Sequence, residues 1–154
     1  MMTLKERLTN VGSMRTWTDQ IPFHYEYTAG VAGERFLRGL REGKILGSEC
    51  PKCKKTYIPP KTYCLGCFVE VKKLREAGPE GTVAAVAESS VGFEGERLKR
   101  HKTFVFVGFT GVTGGLIHFG SGKGLKIGDR VAPRFKPVGS RKGSLLDIEG
   151  FFKT

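Results

Sequence analysis

The chain has 154 residues, which suits one compact unit or two very small ones. Hydrophobic residues make up 39% of it and charged residues 27%, a balance that excludes wholesale disorder but leaves little core for a large enzyme with a deep cleft. Lysine and arginine outnumber acidic residues by 26 to 15, and the formal net charge of +11 favours an anionic partner. Basic surface loops that serve only solubility are the alternative.

The sequence predicts neither a membrane-spanning helix nor a signal peptide. No apolar run approaches the ~20 residues that a membrane-spanning helix needs. The first seven residues lack the apolar segment of a signal peptide. We therefore expect a cytoplasmic protein with no membrane partner, in which cysteines stay reduced and available to metals.

The first 43 residues predict an arm followed by one short helix. Residues 1–28 are weakly patterned and need another surface to lie on. A helix is expected over residues 32–42, because Phe36, Leu37 and Leu40 fall on one stripe and Gly43 suits a C-terminal stop. The scattered apolar anchors of the arm are Trp17, Ile21, Phe23, Tyr25 and Tyr27.

The next segment carries all four cysteines of the chain, as two Cys-x2-Cys pairs separated by ten residues. Two residues between cysteines allow a tight knuckle to aim both sulfurs at one point, and two knuckles supply a tetrahedral set of soft donors. Four protein ligands leave no open position for water, so we expect one structural zinc rather than a catalytic one. A disulfide pair or a rubredoxin-like iron would use the same residues. The predicted ligands are Cys50, Cys53, Cys64 and Cys67.

A turn over residues 77–81 separates this segment from a run of predicted strands. Five strands over residues 81–154 favour a Greek-key barrel of the OB fold, so the fold class is mainly β. Gly114 and Gly115 suggest a hairpin turn. The predicted strands are 82–89, 102–110, 116–119, 130–135 and 145–152, and in the last of them Leu146 and Ile148 should face one side and Asp147 the other. The predicted divisions are 1–43, the arm and helix; 44–77, a zinc ribbon; and 78–154, the OB-fold domain.

The strand over 102–110 is apolar on both faces, with Phe104 and Phe106 on one face and Val105, Val107 and Phe109 on the other. A barrel strand normally keeps one polar face. We therefore expect either the N-terminal arm or a partner protein to cover the second face.

Two basic stretches could hold phosphate groups. Residues 91–102 are predicted as a loop, and its candidate phosphate contacts are Arg97, Lys99, Arg100 and Lys102. A second basic stretch runs from Lys123 to Lys142 with Asp129 as its one acidic residue. Both stretches could equally be solvated loops of a basic protein.

Taken together, these motifs resemble a known family, the small zinc-ribbon/OB-fold proteins that accompany thiolases and related acyl-CoA enzymes. The resemblance extends from Phe36 to the C-terminus. It rests on a helix that ends in Glu42-Gly43, the two Cys-x2-Cys pairs, the double proline Pro59-Pro60 and a barrel from Gly81. Lys54 stands where the family often has glycine, and Leu65 where it often has proline.

The resemblance implies a non-catalytic subunit that docks on a thiolase-fold enzyme and helps to hold the coenzyme A portion of an acyl-CoA. A single-stranded nucleic-acid-binding module is the alternative, since OB folds, aromatic residues and basic charge suit it. An independent enzyme is a third reading, but the three histidines are scattered over arm, loop and strand, and His118 fits a hydrogen-bonded core residue.

Overall fold

The computed structural model describes residues 24–91, 95–121 and 124–154. Outside these ranges lie Trp17, Ile21, Phe23 and Lys123. The prediction that the N-terminal arm covers the strand over 102–110 also concerns residues outside these ranges. The described chain is mainly β, as predicted, with α1 (Gly30–Glu42) before eight strands. Neither α1 nor any other helical segment of these residues has the length and apolar character required to cross a membrane.

Helix α1 forms where the stripe of apolar residues predicts it. Phe36 and Leu40 are buried, and Gly43 ends the helix in the left-handed conformation at φ 83°. Gly39 weakens a helix intrinsically, but here it lets α1 approach the ribbon. A Cβ at this position would lie 2.7 Å from the side chain of Leu46.

The cysteine segment folds as a three-stranded antiparallel ribbon. Its strands are β1 (Leu46–Glu49), β2 (Thr56–Ile58) and β3 (Lys73–Glu76), with β1 between the other two. The two cysteine pairs lie outside these short strands, in the tight turns that follow β1 and β2.

The remaining five strands form a closed ring. They pair in the order β6, β5, β4, β7, β8, and a parallel pairing between β8 and β6 closes the circle. This is the five-stranded barrel of the OB type that the sequence predicts. The strands are β4 (Gly81–Val91), β5 (Arg97–Gly108), β6 (Val112–Ser121), β7 (Arg130–Phe135) and β8 (Ile148–Lys153).

Ribbon and barrel share one sheet, because β2 pairs in parallel with the start of β6. The predicted hairpin turn at Gly114 and Gly115 is therefore wrong. Both glycines lie inside β6, and the chain reverses earlier, around Gly111. Each glycine permits a close backbone approach: a Cβ on Gly114 would lie 2.3 Å from the carbonyl oxygen of Ile58.

One hydrophobic core joins the helix to the barrel. Phe36 and Leu40 of α1 belong to the same buried cluster as Val83, Val105 and the barrel's other inward residues. Whether residues 1–43, 44–77 and 78–154 act as separate folding units stays a prediction. The inward barrel residues are Val83, Val105, Val107, Phe109, Leu116, Leu125, Val131, Ile148 and Phe151.

The last predicted strand is wrong over its first three residues. Residues 145–147 form a single 3-10 turn, and β8 begins only at Ile148. Asp147 is buried rather than facing solvent, because it accepts hydrogen bonds from the backbone N–H groups of Lys142, Gly143 and Ser144. Burial alone would raise the pKa of Asp147, but these hydrogen bonds outweigh it and the pKa lies below its ordinary value.

Candidate metal centre and ligand surface

The four cysteine sulfurs converge on one point. Their Sγ atoms all lie within 4.8 Å of one another, and those of Cys53 and Cys64 are 3.7 Å apart. A tetrahedral zinc with Zn–S bonds of about 2.3 Å requires sulfur separations of about 3.8 Å. All four cysteines are free thiols, so the disulfide alternative does not apply. The arrangement fits one zinc ion with four sulfur ligands and no open coordination position.

Local structure on each knuckle favours thiolate ligands. The backbone N–H of Cys53 points at Cys50 Sγ at 3.5 Å, the amide-to-sulfur contact expected of a Cys-x2-Cys turn. Cys50 and Cys64 are fully buried with Tyr57 and Val71 in a small cluster of their own. The metal site is thus the centre of the ribbon's core.

A tyrosine beneath the site tunes one of the sulfurs. The Tyr57 hydroxyl lies 3.4 Å from Cys64 Sγ, and its hydrogen bond lowers the pKa of Cys64 to about 6. The same bond raises the pKa of Tyr57 to about 12. A hydrogen bond with Cys53, followed by burial, raises the pKa of Cys67 to about 12 in the absence of metal. Metal binding must therefore displace a proton from the four cysteines.

Each knuckle contains one non-glycine residue in the left-handed conformation. Lys54 follows the second cysteine with φ 60°, and Phe68 follows the fourth with φ 54°. Glycine adopts this conformation without a steric penalty, which explains why the resembled family often has glycine at the position of Lys54. The sequence analysis missed Phe68, although its place directly after a Cys-x2-Cys pair is the same as that of Lys54.

The four predicted phosphate contacts are on a strand, not in a loop. Strand β5 begins at Arg97, so Arg97, Lys99, Arg100 and Lys102 lie along its first half. The predicted loop is wrong because β4 continues to Val91 and pairs with Arg97. All four side chains are exposed, and within the described ranges they form no ion pair.

Much of the second basic stretch contacts the chain itself. Arg130 pairs with Glu80, and the guanidinium of Arg134 stacks over the Phe152 ring at 3.6 Å. Arg141 donates to the carbonyl of Lys136 at 2.7 Å. These cations therefore have structural partners, whereas among the four residues of β5 only Lys102 has one, a contact with the Phe119 ring.

The outer face of β5 is apolar, as predicted. Val105 and Val107 point into the core, and Phe104 and Phe106 lie half-buried on the opposite face. The Phe104 ring packs 5.2 Å from that of Phe119 on β6, and Ile117 beside them is 69% exposed. Lys102 lies next to this patch, with Nζ 5.9 Å from the centre of the Phe119 ring. We call Phe104, Phe106, Ile117 and Phe119 the β5–β6 face.

A groove of about 730 Å³ runs between α1 and the segment 138–143. Glu34 and Glu42 on its helical wall are paired with Arg38 and Lys44. No residue of β5 lines it, so it is separate from the basic half of that strand. Its lining residues are Glu34, Leu37, Arg38, Arg41, Glu42, Val138, Lys142 and Gly143.

Comparisons with known proteins agree with this architecture. Residues 38–72 match the family model of the ChsH2 rubredoxin-like zinc ribbon domain. A solved protein of unknown function from the DUF35 family of Sulfolobus solfataricus is 28% identical, with a TM-score of 0.67 over 84% of this chain and 90% of that one. The Ltp2-ChsH2(DUF35) aldolase shares the fold at 16% identity, with a TM-score of 0.59 over 77% of this chain and 91% of that one. No curated protein matches the chain significantly.

Fold and metal centre together define a class: a rubredoxin-like zinc ribbon joined to an OB-type barrel. The family-model match supports the ribbon part of this description, and the similarity to the Sulfolobus protein extends over most of the chain. The chain therefore carries a zinc ribbon of the ChsH2 type over residues 38–72 and is similar over most of its length to a DUF35-family protein, in agreement with the resemblance in its sequence.

Proposed function

We propose that this protein is a non-catalytic accessory subunit of a thiolase-type acyl-CoA enzyme complex. It docks on the enzyme subunit and helps to hold the coenzyme A moiety. The observation that carries the proposal is the composition of β5, which bears an apolar outer face along one half and four exposed cations along the other.

The metal centre has a structural role in this proposal. Cys50, Cys53, Cys64 and Cys67 hold one zinc ion, which fixes the two knuckles relative to each other. Their four sulfurs occupy every position of a tetrahedral ion, so no substrate or water is activated there.

The β5–β6 face supplies the docking surface. Aromatic and aliphatic side chains that remain half-exposed on a sheet gain free energy when a partner covers them. Phe104 and Phe119 already pack against each other, so little side-chain entropy is lost on docking. The Ltp2-ChsH2(DUF35) aldolase, whose name joins a DUF35 chain to a second protein, is a precedent for such an assembly.

The basic half of β5 supplies the coenzyme A contacts. Coenzyme A carries a diphosphate and a 3′-phosphate, and Arg97, Lys99, Arg100 and Lys102 offer exposed charge-assisted donors at one strand. Because these four cations adjoin the docking face, a cofactor that they bind would lie between the two proteins in this proposal.

The proposal is tested first by purification from the source cells with nuclease treatment, followed by mass spectrometry. Stoichiometric recovery of a thiolase-fold enzyme supports the accessory role. Recovery of nucleic acid without such an enzyme contradicts it in favour of a single-stranded nucleic-acid-binding module, whose affinity would fall steeply with salt.

The coenzyme A contacts are then tested on the purified complex by calorimetry. Arg97→Glu with Arg100→Glu is expected to weaken acyl-CoA binding at least tenfold, because two attractive contacts become repulsive, while zinc content stays unchanged. Lys44→Glu with Lys72→Glu makes the same change in net charge outside β5 and outside the second basic stretch, and serves as the control. Equal affinity of the β5 variant and this control would exclude Arg97 and Arg100 as contacts.

A further inference from the structure

The second zinc knuckle exposes an aromatic ring in an unfavourable backbone conformation. Phe68 has φ 54° and is 82% exposed. Its backbone N–H donates to the carbonyl of Cys64 at 2.9 Å, so the turn is closed by the knuckle's own hydrogen bond. The backbone conformation is therefore imposed by the metal-binding turn and not by the ring.

Among the residues that the structure describes, none makes a contact that explains why this position holds phenylalanine. A bulky residue at positive φ is a rare outlier that is disfavoured relative to glycine. A ring that is 82% exposed recovers little of that cost by packing. Strained backbone of this kind clusters at functional sites, including ligand clamps and switch regions.

Two neighbours extend the exposed apolar surface. Tyr63 is 59% exposed and Leu65 is 64% exposed, and both belong to the same knuckle as Phe68. We call Tyr63, Leu65 and Phe68 the knuckle tip. The hydrogen bonds around Cys64 and the metal ligands on either side hold the tip rigid, and rigid aromatic anchors lose little entropy on binding.

Positive charge predominates on the two knuckles. Lys52, Lys54, Lys55 and Lys61 are all exposed on the two knuckles, and neither knuckle contains an acidic residue. A zinc tetrathiolate carries two negative charges, so these four lysines outweigh it. The nearby Glu70 is already paired with Lys72 at 3.1 Å. A second copy of this basic chain would be repelled, and an acidic surface would be attracted.

We propose that the knuckle tip is a second docking point, at which Phe68 inserts into an apolar recess rimmed by carboxylates on the partner enzyme subunit. This inference rests on the accessory role proposed above but not on the β5–β6 face. The lysines steer the approach and pair with the rim, while Phe68 and Leu65 fill the recess.

The test uses one substitution that is expected to raise thermal stability and to lower affinity for the enzyme subunit. Phe68→Gly removes the ring and also relieves the backbone at positive φ, so the variant should melt about 2–4 °C higher and keep its zinc. Its affinity for the co-purified enzyme subunit, measured by interferometry after nuclease treatment, should nevertheless fall at least tenfold. A merely structural role for Phe68 would not combine higher stability with weaker binding.

Lys54→Gly is the matched control, because it relieves the same backbone conformation on the other knuckle and keeps the ring. It should gain similar stability and lose affinity no more than about threefold, mainly through slower association at low salt. If Phe68→Gly binds like the wild type while Ile117→Asp on the β5–β6 face releases the enzyme, the knuckle tip is excluded and the accessory role stands. If the wild type recovers no enzyme, or binding at the tip is to nucleic acid, both proposals fail.

Discussion

At the scale of single residues, His118 illustrates how burial selects a protonation state. The ring is 6% exposed and packs edge-on against Phe119 and Phe151. Its Nε2 lies 3.0 Å from the carbonyl oxygen of Leu145, whereas Nδ1 is buried without a partner among the described residues. Burial therefore lowers the pKa of His118 below its ordinary value, and the neutral Nε2–H form ties β6 to the 145–147 turn.

This environment predicts a loss of stability in mild acid. The folded-state pKa of His118 is below the unfolded value of about 6.5, so the unfolded chain binds the proton more readily. Neutral His118 therefore contributes to the free energy of unfolding at pH 7.5. This contribution is lost as pH falls through 6.5 toward the folded pKa, at no more than about 1.4 kcal/mol per pH unit. Urea denaturation of zinc-saturated protein at pH 7.5 and 5.5 measures it.

His118→Gln keeps an N–H donor but cannot take up this proton. Between pH 7.5 and 5.5, this variant should lose less free energy of unfolding than the wild type does. Subtracting the two losses removes the effect of titrating groups that both proteins share. Identical losses in the two proteins would exclude His118 as the source.

At the scale of elements, the junction of β2 with β6 determines how the ribbon is attached to the barrel. The parallel register places Ile58 opposite Gly114. Gly114 has φ 92°, and a Cβ there would overlap the Ile58 carbonyl, while one on Gly115 would lie 2.2 Å from the carbonyl of Val107. The two glycines allow β6 to lie between β2 and β5 with main chains in close contact on both sides.

Gly114→Ala is therefore expected to be strongly destabilising. The conformational cost of positive φ, about 1–2 kcal/mol, adds to the collision with the Ile58 backbone, so we expect a loss of about 3 kcal/mol or more in the free energy of unfolding. Urea denaturation of the zinc-loaded protein measures this loss.

Gly111→Ala is the matched control, because Gly111 has φ 71° and open space around it. Gly111→Ala should lose only the part of the free energy of unfolding that comes from positive φ, because its Cβ collides with nothing. Equal losses in the two variants would mean that β2 shifts freely and that the junction is not tightly packed.

At the scale of the whole molecule, the ribbon depends on its metal more than the barrel does. The ribbon's own buried cluster consists of Cys50, Tyr57, Cys64 and Val71, two of which are metal ligands. So small an apolar core cannot maintain a fold alone, and zinc binding supplies folding free energy in such modules. The barrel has its own larger core, to which α1 contributes.

Cys53→Ser is accordingly expected to lose the metal and unfold residues 44–76 while the core of β5 stays protected. Hydrogen exchange followed by mass spectrometry locates the loss, and atomic emission measures zinc. Lys52→Ser, an exposed change in the same knuckle, should leave both unchanged. Full zinc content in Cys53→Ser would contradict the four-ligand centre.

The sequence by itself determined the features that depend on a few neighbouring residues. These are the helix ending at Gly43, the two Cys-x2-Cys knuckles, and the alternation that points Val105 inward and Phe104 outward, because turn geometry and strand pleat act over two to four residues. The number of predicted strands also indicated the barrel, and the family resemblance supported it, since it compares the order of many such features along the chain.

Only the tertiary structure decided which backbone segments pair with certain residues. Arg97 belongs to a strand because Val91 pairs with it, and Asp147 turns inward because the backbone of residues 142–144 supplies its hydrogen bonds. Gly114 lies within a strand because Ile58 approaches its backbone. The partner of Gly114 is far away in sequence, whereas Arg97 and Asp147 depend on turns a few residues away whose conformation the surrounding fold determines.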